Sequence, residues 1–117
     1  MECLHEDHAD GVRVIRLVGR MDIEGNQAVA VRFDALTASG GTAVVVDLSG
    51  VDFIGSLGIG TLVSGARSVK LRKGALALYG AKPNVMTALV RTSIPSLIPT
   101  CATLDEARAV VTAPAES

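Results

Sequence analysis

Residues 42–60, with the sequence TAVVVDLSGVDFIGSLGIG, join an apolar run to a turn that is rich in glycine. The run from Thr42 to Leu48 is rich in β-branched residues, a pattern typical of a strand that is covered on both faces. The apolar residues that follow the turn recur at helical spacing: Ile59, Leu62, Val63, Ala66 and Val69. The stretch therefore predicts a buried strand, a glycine–serine turn and a helix that ends near residues 73–74.

The flanking segments continue this alternation of strand and helix. Alternating side chains predict strands over residues 3–8 and 12–18, joined by the turn at residues 9–11, while residues 19–22 are expected to leave the sheet. Further patterns predict a helix over 26–38, a strand over 75–79, a helix from Pro83, a short strand within 94–101, a helix over 104–111 capped by Thr103, and a frayed TAPAES tail. The fold class is therefore α/β, with a small, mostly parallel sheet of about four or five strands and about four helices.

Length and composition limit the interpretation further. A chain of 117 residues fits one domain, 1–117, and its core is built from Val, Leu, Ile and Ala because it has no Trp, one Tyr and two Phe. No apolar run approaches the ~20 residues of a membrane span, and the acidic start MECLHEDHAD does not resemble a signal peptide. We therefore expect a cytoplasmic protein without direct membrane insertion, in which Cys3 and Cys101 are reduced thiols with packing roles.

The predicted central helix has an unusual outward face. On a helical wheel that face carries short or apolar, uncharged side chains: Leu57, Thr61, Ser64, Ser68 and Leu71. A solvent-facing surface would ordinarily carry Glu and Lys, so this face predicts docking of another protein. The alternative is that a second helix of the same domain covers it.

Ser56 lies where the turn enters the helix, and the sequence predicts that it is the N-cap. The free N–H groups and the partial positive charge of a helix start also suit an anion such as a phosphate. If Ser56 were phosphorylated, the helix would tolerate the charge, but a partner docked on the neutral face would be repelled.

The sequence offers no pattern for catalysis or for a cofactor. The phosphate-binding pattern GxxxxGK[ST] and the dinucleotide pattern GxGxxG are absent, and Ser56 lacks the first glycine of GxSxG. His5 and His8 lie in an acidic stretch, and nothing in the spacing of Asp22, Asp47 and Asp52 demands a metal. We therefore expect no enzyme, no cofactor and no metal site.

Charge is unevenly distributed along the chain. Between Phe53 and Leu104 there is no Asp or Glu, whereas six basic residues fall there: Arg67, Lys70, Arg72, Lys73, Lys82 and Arg91. This asymmetry is compatible with a face for an acidic or phosphorylated partner, or with ordinary solvated side chains. Without interleaved aromatic residues it does not favour nucleic acid.

Three segments resemble the STAS domain of bacterial anti-sigma factor antagonists. They are VVVDLSGVDFIGSLGIGTLVSGARSVKLRKGALALYG, the earlier LVGRMDIEGNQAV and the later PNVMTALVRTSIPSLIPTCATLDEARA, and together they span about residues 10–112. The resemblance implies a small mixed sheet with helices mainly on one face. It also implies binding to an anti-sigma factor that is a serine kinase of the histidine-kinase-like ATPase type. That binding frees a sigma factor, and a phosphatase resets the switch by removing the phosphate.

The resemblance departs from the family pattern at the switch. The family commonly has Asp-Ser-Ser-Gly or Asp-Ser-Thr-Gly, with the second hydroxyl residue phosphorylated, and this chain has Gly55, Ser56, Leu57 and Gly58 there. Leu57 thus occupies the usual acceptor position, which implies an atypical or absent phosphoswitch with Ser56 as the possible acceptor. The residues expected to bind the partner are Asp22, Gly55, Ser56, Leu57, Gly58, Gly60, Thr61 and Ser64.

Three functions are compatible with this departure. We expect a monomer or a weak homodimer. The first function is an antagonist-type binding module that is regulated through Ser56 or not phosphorylated at all. The second is an accessory STAS subunit of a lipid-transport ABC ATPase. The third is a sensor that binds a nucleotide at the helix start, assisted by the bases of the second half.

Overall fold

A computed structural model describes residues 1–113 of the chain, and the final residues, 114–117, including most of the tail predicted to fray, lie outside the described part. The strands are β1 (Glu2–Asp7), β2 (Val12–Met21), β3 (Ala43–Ile54), β4 (Ala75–Tyr79) and β5 (Thr100–Cys101). The helices are α1 (Ile23–Ala38), α2 (Ser56–Leu71), α3 (Pro83–Arg91) and α4 (Leu104–Thr112), with a 3-10 turn at Ile94–Ser96.

The strands form one five-stranded sheet in the order β1-β2-β3-β4-β5. β1 pairs antiparallel with β2, and the remaining pairs are parallel. β3 is the central strand, and its apolar residues Val44, Val45 and Val46 are fully buried. The predicted fold class, a mixed and mostly parallel sheet whose central strand is covered on both faces, is confirmed.

The helices divide unequally between the two faces of the sheet. Side chains of α1, α2 and α3, such as Phe33, Leu62 and Leu89, pack on one face against Val44 and Val46. On the opposite face, α4 packs through Ala107 and Val111 against Val12, Val45 and Ala77. The prediction of helices mainly on one face is therefore also confirmed. No helix within residues 1–113 is long and apolar enough to cross a membrane.

β2 and β3 are longer than predicted. The prediction that residues 19–22 leave the sheet was wrong, because β2 continues to Met21, and β3 continues past Leu48 to Ile54. Residues 19–21 and 51–54 pair beyond the other strands, and we call this two-stranded extension the ribbon. Two register shifts each add one residue to β3, one just before the ribbon and one within it. The bulges change the spacing of the inward side chains of β3 from two residues to three, and this hid the strand in the sequence.

α1 and α2 both begin where the ribbon ends, and they pack side by side. Gly65 of α2 lies so close to the Phe33 ring that an added Cβ would come within 2.4 Å of a ring carbon. Near the start of α2, the Thr61 hydroxyl donates a hydrogen bond to Asn26 Oδ1 at 2.7 Å. At the other end, the Arg72 guanidinium donates to the Thr37 carbonyl at 2.8 Å. These contacts fix α2 against α1 along its length.

Candidate functional site

The start of α1 is closed by its own side chains. Asp22 is the N-cap, and its Oδ1 accepts a hydrogen bond from the Gly25 N–H at 2.8 Å. Gly25 packs against the end of β2, where an added Cβ would lie 1.8 Å from the Arg20 carbonyl oxygen. The predicted start at Asn26 was wrong, since capping by Asp22 allows the helix to begin at Ile23.

The start of α2 lies beside it and is open. The N-cap is Gly55, not Ser56 as predicted, because the helix begins one residue earlier than expected. Gly55 has no side chain to cap the first turn, and its N–H donates to the Met21 carbonyl at 3.0 Å. Within residues 1–113, no side chain accepts a hydrogen bond from the first N–H groups of α2. Ser56 is the first helical residue and is exposed.

Three large apolar side chains are exposed around this opening. Ile23 at the start of α1 is 64% exposed, Phe53 on the ribbon 38%, and Leu57 on α2 52%. They surround a shallow groove of about 350 Å³ that also touches Met21 and Ser56. We call Ile23, Phe53, Ser56 and Leu57 the ribbon-end patch. Exposed apolar groups gathered in this way are typical of a protein-binding surface.

Charged side chains at the border of the ribbon-end patch are paired with other groups. The Arg20 guanidinium lies over the Phe53 ring, 4.7 Å from its centroid, and its Nε lies 3.7 Å from Asp22 Oδ2. Asp52 accepts a hydrogen bond from Lys82 at 2.5 Å, which lowers the pKa of that carboxyl group below its ordinary value. The four residues of the ribbon-end patch carry no ionisable side chain, and the one acidic residue that lines the same groove within residues 1–113 is Asp22, which caps α1.

The residues expected to bind a partner lie in different environments. Gly60 and Ser64 are exposed on α2. Gly58 is buried, because the start of the helix rests on Met21 and Ile54, and its role in the structure is close packing. Thr61 is half-buried at the contact between α1 and α2.

The alternative of a second helix covering the outward face of α2 is only partly realised. α1 covers Thr61, and Ser68 is also half-buried. Leu57 stays half-exposed, and Leu71 is 80% exposed. The outward face is therefore open at both ends of α2.

The three aspartates considered for a metal lie apart and have protein partners. Asp22 caps α1, Asp52 pairs with Lys82, and Asp47 accepts hydrogen bonds from the Ser49 N–H and hydroxyl group at 2.8 and 2.6 Å. Within the described part of the chain, no group of three or more metal-ligating side chains comes together.

The basic residues of the second half do not gather at the start of α2. Arg67 and Lys70 line a different groove, near the end of α2. Arg72 is engaged by carbonyl groups at the end of α1, and Lys82 by Asp52. The arrangement therefore gives the nucleotide-sensor hypothesis no support.

Ile23 and Phe53 are candidate site residues that the sequence did not predict. Each stands directly beside a position that was considered, Ile23 after Asp22 and Phe53 close to Gly55. The ribbon, which was not predicted, brings them together, because it places the ends of β2 and β3 side by side.

The comparison with known families agrees with this geometry. The model of the STAS domain matches residues 6–107, which is most of the chain. This chain belongs to the STAS domain family. The family predicted from the sequence is thus confirmed, and no curated protein sequence matches the chain.

Solved structures of STAS proteins superpose on nearly the whole chain. An anti-sigma factor antagonist from Mycobacterium paratuberculosis is 29% identical with a TM-score of 0.86, covering 96% of this chain and 94% of that one. An anti-sigma factor antagonist STAS protein from Planctomyces limnophilus is 29% identical with a TM-score of 0.80, covering 92% and 95%. The phosphorylated form of the Bacillus cell fate determinant SpoIIAA is 19% identical with a TM-score of 0.67, covering 91% and 96%, and shows a likeness of fold alone.

Proposed function

We propose that this STAS protein is a regulatory, non-catalytic binding module of the anti-sigma factor antagonist type. Its partner is an anti-sigma factor that is also a serine kinase of the histidine-kinase-like ATPase type, and binding frees a sigma factor. The observation that carries the proposal is the exposed ribbon-end patch at the uncapped start of α2. Similarity to two anti-sigma factor antagonists at 29% identity supports the same class.

The ribbon-end patch supplies the apolar centre of this interface. Leu57, Ile23 and Phe53 are large enough to act as anchors in pockets of a partner, and aromatic or aliphatic anchors of this kind carry most of the affinity of an interface. The uncapped N–H groups of α2 remain available to polar groups of the partner. Gly55 and Gly60 have no side chain and Ser64 has a small one, so the two backbones can approach closely there.

Binding depends on the absence of negative charge at this surface. Leu57 occupies the usual phosphoacceptor position, so the ordinary switch is absent there. Ser56 is the adjacent hydroxyl group, and its exposure makes it reachable by a kinase. A phosphate on Ser56 would be stabilised by the helix start and would place charge among three apolar side chains, so the complex would dissociate.

A charge placed on Leu57 tests the interface. Leu57→Glu is expected to weaken binding to the kinase at least ~30-fold, equivalent to about 2 kcal/mol, because a carboxylate would be buried without a partner. The measurement is calorimetric titration with the histidine-kinase-like anti-sigma factor whose gene lies nearest to the gene of this protein. Val31→Glu is the matched control, because Val31 is 81% exposed on α1 and lies outside the patch. Equal affinity of Leu57→Glu and wild type would remove Leu57 from the interface.

A second experiment locates the switch. The chain is incubated with the same kinase and ATP, and phosphate is mapped by mass spectrometry. Incorporation at Ser56 identifies an atypical switch, and no incorporation identifies a constitutive binder. Incorporation far from residues 55–61 would contradict the proposed position of the switch.

A further inference from the structure

A second groove, distinct from the ribbon-end patch, opens beside the carboxyl-terminal half of α2. It has a volume of about 370 Å³ and lies between α2, the first residues of β4 and the segment that precedes β5. Its apolar lining includes Val63, Ala66, Leu76 and Ile98. Leu97 stands at its edge, 68% exposed. The groove can therefore accept an apolar side chain, and it already has an exposed apolar rim.

In the wall formed by β4, no further strand of the described residues pairs beside Leu76. β5 pairs only with Leu78 and Tyr79, and the Leu78 N–H donates to the Pro99 carbonyl at 2.8 Å. Leu76 lies two residues earlier, so its N–H and C=O point the same way, toward the groove. Pro99 has no N–H to offer the Leu76 carbonyl, and no backbone partner for Leu76 is found within residues 1–113. With 4% of its surface exposed, Leu76 gives the groove an apolar wall, and its main chain is too buried to accept an added strand.

The charge of the groove has a single sign. Arg67 and Lys70 line it, and none of its lining residues is acidic. The surrounding chain has no Asp or Glu between Phe53 and Leu104. Both bases are exposed, and within the described residues neither forms a salt bridge. The groove thus combines an apolar floor with a positive rim.

We propose that this groove binds an acidic peptide segment of a partner protein. An apolar side chain of the segment enters the groove, and flanking carboxylates meet Arg67 and Lys70. Charge complementarity selects this occupant, because a basic or neutral segment would leave both cations without partners. The proposal does not rest on the function of the ribbon-end patch, which lies at the other end of α2.

Nuclear magnetic resonance of the full chain, labelled with ¹⁵N, tests the proposal. The probe is a short peptide in which Asp and Glu alternate with Leu and Val, and the control peptide has Lys in place of every acid. With the acidic peptide, the amide signals of Leu76, Arg67, Lys70 and Leu97 are expected to shift, and those of Ile23, Phe53 and Leu57 to stay. The basic peptide is expected to shift none of them.

Charge reversal provides the second arm. The double variant Arg67→Glu/Lys70→Glu is expected to weaken binding of the acidic peptide at least ~10-fold, since two attractions become repulsions. Lys73→Glu is the matched control at the same end of α2, because Lys73 is exposed but does not line the groove. Lys73→Glu should bind the acidic peptide nearly as tightly as the wild type does. The far-ultraviolet circular dichroism spectra of both variants should match the wild-type spectrum, which shows that both are folded.

Four results obtained with the peptides would overturn the proposal. They are no shift with the acidic peptide, equal shifts with the basic peptide, equal binding by the double variant, and shifts confined to the ribbon-end patch. The same amide shifts on raising the protein concentration without peptide would assign the groove to a second copy of this chain and would also overturn it.

Discussion

The starts of α1 and α2 lie side by side at the end of the ribbon, yet they are built differently. At α1 the Asp22 carboxylate caps the first turn, and Gly25 allows the helix to touch the Arg20 carbonyl. At α2 the cap is a glycine without a side chain, and Ser56 and Leu57 face outward. At α1 a side chain accepts from one of the free N–H groups of the first turn, whereas at α2 no side chain does so within residues 1–113. Two neighbouring helix starts of one fold thus differ in their side-chain cap, and α3 also begins without one.

The largest expected effect on stability is at the closed start. Gly25→Ala is expected to lower the free energy of unfolding by about 3 kcal/mol, because the new Cβ would overlap the Arg20 carbonyl oxygen and the backbone must move. Denaturant unfolding measures it. Gly60→Ala is the control at the open start, where an added Cβ meets nothing within 4 Å, and it should gain ~0.5–1 kcal/mol from helix propensity. Similar changes in the free energy of unfolding for Gly25→Ala and Gly60→Ala would contradict the difference between the two helix starts.

The next effect concerns the cap. Asp22→Ala is expected to lower the free energy of unfolding by about 1 kcal/mol, because the Gly25 N–H loses its acceptor. The Asp22→Asn variant retains an oxygen acceptor and should lose less. Chemical unfolding of the three proteins side by side gives the values. If Asp22→Asn lost as much free energy of unfolding as Asp22→Ala, the cap would contribute through something other than this hydrogen bond.

A charge at the open start should separate stability from binding. Ser56→Asp is expected to raise the free energy of unfolding by ~0.3–1 kcal/mol, because a carboxylate at the start of α2 interacts favourably with the helix dipole. The same variant should bind the kinase at least ~10-fold more weakly, since it adds charge to the ribbon-end patch. Unfolding and calorimetry on one preparation test both statements. Tighter or unchanged binding would contradict the requirement for a neutral surface.

The smallest effect is expected for Ser56→Ala. Its hydroxyl group does not cap α2, so the free energy of unfolding should change by less than about 0.5 kcal/mol. Asp22→Ala, at the other helix start, is the reference. A loss for Ser56→Ala comparable with that for Asp22→Ala would restore Ser56 to the capping role that the sequence predicted.

Sequence patterns found most of the fold, because periodicity and turn residues are local signals. The strand at Ala75–Tyr79, the helix that begins at Pro83 and the cap at Thr103 were all located correctly. The ribbon was missed for a physical reason: Leu48, Val51 and Ile54 point inward at a spacing of three residues, whereas a regular strand has a spacing of two. A bulged strand cannot be distinguished from a turn by alternation alone.

The site was predicted less completely than the fold. Leu57 was selected correctly as an exposed apolar residue of α2, because a helical wheel needs only local spacing. Ile23 and Phe53 belong to other elements, and their proximity to Leu57 depends on tertiary structure. The sequence predicted Ser56 as the N-cap of α2, one position after the observed N-cap Gly55, because glycine can also serve as an N-cap. The partner-binding roles of these residues stay predictions.

The tight contact between α1 and α2 has a consequence for how the surface meets its partner. Gly65 against Phe33 and the Thr61–Asn26 hydrogen bond hold the two helices in one arrangement, so Ile23 and Leu57 keep a fixed separation. The conformational entropy of bringing these anchors together is lost when the chain folds, not when the complex forms. Association can therefore proceed as the docking of a rigid, preorganised body, without an ordering step that would slow it.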